Sequence, residues 1–68
     1  MDAKEFGKEI RALRKKMRIN QKRLAIMCNF RGSHIVHRIE QGESRVLINI
    51  VKMLDSMGYT IEFKKKRM

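Results

Sequence analysis

The run Asn20-Gln21-Lys22-Arg23-Leu24-Ala25-Ile26-Met27-Cys28-Asn29-Phe30-Arg31-Gly32-Ser33-His34-Ile35-Val36-His37-Arg38-Ile39-Glu40-Gln41-Gly42 decides the fold. It contains two short helical segments around a turn. Asn20 suits a helix N-cap, because its side-chain oxygen can accept from unpaired N–H groups of the first turn. The helix it opens is expected over 21–28, with Leu24, Ala25 and Cys28 inward. Asn29-Phe30-Arg31-Gly32 is turn-like, since Asn and Gly both tolerate positive φ. A second segment is expected over 33–41. Val36 and Ile39 form its apolar stripe with help from Ile35, and Gly42 follows at a C-cap-like position.

Outward from this run, Phe6, Ile10, Leu13 and Met17 recur at helical steps and predict a helix over 3–17. Arg11, Arg14, Lys15 and Lys16 fall largely on its other sides. Leu47, Ile50, Val51, Leu54 and Met57 predict a further helix over 46–57, ended by Gly58. The period then changes to two. Tyr59, Ile61 and Phe63 alternate with Thr60, Glu62 and Lys64, the pattern of a strand. A single strand has no ladder partner within the chain, so its polar edges and apolar face need covering. Antiparallel pairing with the same strand of a second copy is the economical solution. A strand-like tail packed on the helices is the alternative. The expected fold is mainly α, a small bundle of four to five helices with one C-terminal β-strand that pairs across a dimer. Its parts are a helical domain over 1–58, a dimerisation strand over 59–63 and a basic tail over 64–68.

Sixty-eight residues make one small domain, too short for separate catalytic and substrate domains. Seventeen Lys and Arg against seven Asp and Glu give a formal net charge of +10, which points to a polyanionic partner. From Ile10 to Ile39 there are nine Lys or Arg residues and no acid. The acids lie outside: Asp2, Glu5, Glu9, Glu40, Glu43, Asp55 and Glu62. That distribution indicates one positive face, against the plainer reading of a solvated surface. No apolar run is long enough to span a bilayer. No apolar stretch follows Met1-Asp2-Ala3-Lys4-Glu5, so no secretory signal is expected. Cys28 is the only cysteine, which excludes an intrachain disulfide and suits a reducing cytoplasm.

Two short helices around a tight turn, the second with a charged face, fit a helix-turn-helix. Gln21-x-x-Leu24-Ala25 followed by Ile35-Val36-His37-Arg38-Ile39-Glu40-x-Gly42 resembles the Cro/phage-repressor (Xre) helix-turn-helix family. Ile10-Arg11-x-Leu13-Arg14 is similar to that family's first helix. Gly42-Glu43-Ser44-Arg45-Val46-Leu47, then Ile50-Val51-Lys52-Met53-Leu54-x-x-Met57-Gly58, resembles its HipB-type antitoxin branch. The resemblance covers roughly 6–63 and implies a lambda-repressor-like fold. The spacing from Ala25 to Glu40 is one residue longer than the family's, and the extra residue is assigned to the turn around Phe30-Arg31-Gly32. Asn29 stands where the family has a glycine.

Anchored on Glu40 and Gly42, the resemblance implies that Ser33, His34, His37 and Arg38 read bases. The chemistry suits this. Arg can donate twice to the N7 and O6 edge of guanine, Ser can donate or accept, and His can donate to either guanine atom. Phosphate contacts are expected from Gln21, Lys22, Arg31 and Arg45, with Arg14 or Lys15 reaching a flanking phosphate. The resemblance also implies that Glu40 pairs with Arg11 or Arg14 of the first helix, an ion pair expected to lie at the surface. A metal site at Cys28, His34 and His37 lacks a fourth ligand and fits no zinc spacing, so no metal or other cofactor is expected. Cys28 reads instead as a small core residue.

One recognition helix reads only about four base pairs, whereas two set about 34 Å apart read both halves of a palindrome. Tyr59, Ile61 and Phe63 are therefore expected at a homodimer interface. The leading expectation is a cytoplasmic, nucleoid-associated bacterial repressor that binds a palindromic operator in double-stranded DNA. The branch resemblance further implies an antitoxin that represses its own operon and binds a cognate toxin, kinase-like or ribonuclease. A phage or plasmid repressor and a restriction–modification controller are alternatives. A small basic RNA-binding protein is another, although few aromatics are present for base stacking. No nucleophile–base–orienter arrangement and no Gly-rich phosphate loop is present, so an enzyme is not expected.

Overall fold

The computed structural model describes residues 2–60. They form four helices: α1 (Ala3–Lys16), α2 (Gln21–Met27), α3 (Ser33–Glu40) and α4 (Leu47–Ser56). The first two helices open on side-chain caps. Asp2 caps α1 by accepting from the Glu5 N–H at 2.8 Å. Asn20 caps α2 as its sequence position predicts, accepting from the Arg23 N–H at 2.7 Å.

All four helices end in the same way. Arg18, Asn29, Gly42 and Gly58 take positive φ one residue beyond the respective C-caps. At each end, the next N–H reaches back five residues to a helix carbonyl: Ile19 to Arg14, Phe30 to Ala25, Glu43 to Arg38 and Tyr59 to Leu54. This is the Schellman arrangement, which satisfies carbonyls the helix leaves open. Asn29 thus does take the left-handed conformation that its place in the turn predicts. Arg18 does so without the help of a glycine or a short amide side chain.

The core is built from Ile10 of α1, Leu24 and Ala25 of α2, Val36 and Ile39 of α3, and Ile50, Met53 and Leu54 of α4. The C-caps Cys28 and Met57 are buried with them. Phe6, Leu13, Ile19, Phe30 and Ile35 close its edges. Ile19 and Phe30 are the residues just past two of the left-handed turns, where an apolar contact commonly accompanies the motif. Between α1 and α3 the approach is set by glycine. A Cβ at Gly7 would lie 2.4 Å from the Glu40 carbonyl oxygen and 2.5 Å from that of Ile39. The first helix therefore seats its backbone against the C-terminal end of α3.

Two of the expected apolar stripes need correction. Met17 is the C-cap of α1 and remains 42% exposed. Ile19, carried inward by the left-handed turn, packs against the core instead. On α4 the buried set is Ile50, Met53, Leu54 and Met57, whereas Leu47 and Val51 are exposed. The segment Leu47-Ile48-Asn49-Ile50-Val51 is too uniformly apolar for spacing alone to select the inward face. The structure thus shows a mainly α domain. Tyr59 and Thr60 carry no strand, and the rest of the expected strand, with Ile61 and Phe63, lies outside the described residues, as does the basic tail 64–68. Among the described residues no helix is long and apolar enough to cross a membrane.

Candidate nucleic-acid interface

The third helix has two faces with opposite chemistry. Val36, Ile39 and Glu40 are buried, and Ile35 is half-buried. Ser33, His34, His37, Arg38 and Gln41 are all exposed. At 3.6 residues per turn, positions 33, 34, 37, 38 and 41 fall on one side of the helix. The four residues expected to read bases are therefore brought together on a single exposed strip. It carries hydroxyl, imidazole, guanidinium and amide groups and no acid.

Each of these side chains has a distinct setting. Ser33 and His34 begin α3, and its N-cap Gly32 supplies no side-chain cap. A Cβ at Gly32 would lie 2.9 Å from His34 Nδ1, so the absence of a side chain leaves room for the ring to lie back over the turn. His37 Nδ1 stands 3.4 Å from Gln21 Nε2. The Arg38 guanidinium approaches the Glu43 carboxylate only at 4.0 Å, with both side chains more than half exposed. An exposed ion pair at that distance contributes little, so Arg38 can leave it at small cost.

Behind the strip lies a buried polar group that fastens α3 to α1 and α2. Arg14 Nε donates to Glu40 Oε2 at 2.7 Å and Nη2 donates to Oε1 at 3.0 Å. Nη1 donates to the Ile19 carbonyl at 2.9 Å. Gln21 Nε2 donates to Glu40 Oε1 at 3.2 Å. The side chains of Arg14 and Glu40 are 8% and 0% exposed. No buried side-chain nitrogen or oxygen lacks a partner among the described residues. The two-pronged geometry needs the planar guanidinium and would be lost with lysine.

This arrangement corrects two expectations. The pair formed by Glu40 involves Arg14, and it is buried rather than superficial. Arg14 also cannot serve as a phosphate contact, because its guanidinium is enclosed and committed to Glu40 and Ile19. The apolar spacing of α1 places Arg14 on an outer side; the contact with α3 selects it over Arg11 as the partner of Glu40 and encloses the pair. Gln21 is half-buried, and its side-chain amide is turned toward Glu40 and His37 rather than outward. Lys15, Lys22, Arg31 and Arg45 are exposed, as phosphate contacts require. Tyr59 of the expected dimer interface is 41% exposed. Cys28 is buried, and its Sγ donates to Ser56 Oγ at 3.4 Å.

The chain matches no family model and no curated protein.

Proposed function

We propose that this chain is a sequence-specific DNA-binding repressor that acts as a homodimer on a palindromic operator. One observation carries the reading: Ser33, His34, His37 and Arg38 share the exposed side of α3, while its opposite side is anchored in the core and by the Arg14–Glu40 pair. A helix so held can present donors to base edges without rearranging. Exposed Lys15, Lys22, Arg31 and Arg45, together with the net charge of +10, supply cations for the phosphates.

A second copy is supported by the surface of α4. Leu47, Ile48 and Val51 are 57%, 62% and 39% exposed, and the N-cap Val46 that precedes them is 48% exposed. This is a concentration of large apolar side chains on so small a domain, of the kind that marks an interaction surface. Within the repressor class we place the chain with HipB-like antitoxins that bind a cognate toxin, a reading supported by the order of residues from Gly42 to Gly58.

The test is selection of duplexes from a random pool by the purified chain, followed by footprinting and salt titration. An inverted repeat should be enriched and protected. With about six phosphates neutralised per dimer, log K should fall with log salt at a slope on the order of −5. Enrichment of no duplex, or equal binding to structured RNA under competition, would overturn the proposal.

A further inference from the structure

The amide of Gln21 lies between a fixed carboxylate and an exposed imidazole. Its Nε2 is 3.2 Å from Glu40 Oε1 and 3.4 Å from His37 Nδ1. Glu40 is itself immobilised by two hydrogen bonds from Arg14. Rotating the amide to exchange its ends would set Gln21 Oε1 against Glu40 Oε1, two acceptors facing one another. The carboxylate therefore determines which end of the amide faces inward. An amide nitrogen carries two hydrogens, enough to serve both neighbours. In a neutral imidazole one ring nitrogen carries the proton and the other accepts. With an N–H donor facing Nδ1, the proton belongs on Nε2.

We infer that Gln21 is a positioning residue that locks His37 with Nδ1 as an acceptor inside and Nε2–H as a single donor outside. The base-reading strip then presents at position 37 a group that accepts nothing, suited to a purine N7 or a guanine O6. This deepens the DNA-binding reading and rests on it. The chain of control runs from buried to exposed: Arg14 sets Glu40, Glu40 sets Gln21, and Gln21 sets His37. Arg14 touches no base in this arrangement, yet it contributes to the reading of one. The same contacts explain why the Gln21 side chain faces the interior of the motif rather than the phosphate expected of it.

Two measurements test this, one of which needs no DNA. In the free, 15N-labelled protein at mildly alkaline pH, two-bond proton–nitrogen correlations distinguish bare from protonated ring nitrogens. His37 should be protonated at Nε2 in the parent. In Gln21→Glu, where an oxygen faces the ring, the proton should move to Nδ1. Gln21→Ala adds no charge beside Glu40, serves if Gln21→Glu unfolds, and should give a mixture. Unchanged ring protonation in the variants would overturn the lock. On a selected operator, His37→Ala should reduce the preference for a purine at one base pair per half-site by roughly tenfold. Gln21→Ala should reduce preference at that same pair, and the double variant no further. Uniform weakening on every sequence, with base preference at that pair retained, would make Gln21 a phosphate contact and refute the inference. Enrichment of no duplex would refute the DNA reading, while the spectra would still decide the lock.

Discussion

Arg14 and Glu40 show how much one pair of residues can organise. Both charges are withdrawn from water, and the cost of that is recovered only because Glu40 accepts from Arg14 twice and from Gln21 once. Removing one partner leaves the other buried and uncompensated. Glu40→Gln should therefore destabilise the fold by about 3–5 kcal/mol, read as a lower urea midpoint at constant slope. Arg14→Met combined with Glu40→Leu should recover most of that loss, because no charge is then stranded. A Glu40→Gln variant as stable as the parent would mean that the pair is not closed in solution. The sequence exposes this site only in part. Glu40 is conspicuous as an acid following a basic window, but its partner is separated by 26 positions, and Arg11 and Arg14 are equally basic neighbours on α1.

At the scale of the elements, helix ends were legible because their causes are local. Asn20, Asn29, Gly42 and Gly58 act on the two or three peptide groups next to them, and the observed boundaries fall within one residue of those expected. Helix faces were less legible. The spacing of α4 admits either Val51 or Met53 as a core residue, and only the position of the other helices selects Met53, which is fully buried. The close backbone approach of α1 to α3 was not visible, since Gly7 reads as a mild flaw in a helix. Its reason is the backbone of Glu40 and Ile39 across the interface. Gly7→Ala should gain about 1 kcal/mol of helix propensity yet lose about 2–3 kcal/mol net, because a Cβ against backbone carbonyls cannot be relieved by a rotamer change. Thermal melting checks this: a raised Tm would show that α1 can move off α3 freely.

The whole molecule combines the exposed polar strip of α3 with exposed apolar side chains on α4. A domain of this size buries a limited core, and a partner copy would add to it. Placing a charge in the apolar surface without touching the core separates the two contributions. Val51→Lys, at a position 39% exposed, should leave the helical circular dichroism intact, shift sedimentation equilibrium to the monomer and weaken operator binding at least tenfold. Ile61→Pro tests the strand pairing expected from the alternation Tyr59, Ile61, Phe63. Loss of the dimer in only one of the variants would assign the interface to α4 or to the strand. A tight dimer in both would remove this model of assembly.

Ser33, His34, His37 and Arg38 were singled out by the family resemblance alone, whereas capping residues and apolar spacing were enough to determine four helices, their order and most of the core. These are properties of short stretches, in which each residue acts on neighbours within a turn or two. What required three dimensions was the detail of relations between distant stretches: the enclosure of Arg14 by Glu40, the seating of Gly7 on α3, the choice of Met53 over Val51, and the approach of Gln21 to His37. Such contacts depend on distance and desolvation in the folded chain, and neither quantity has a period along it.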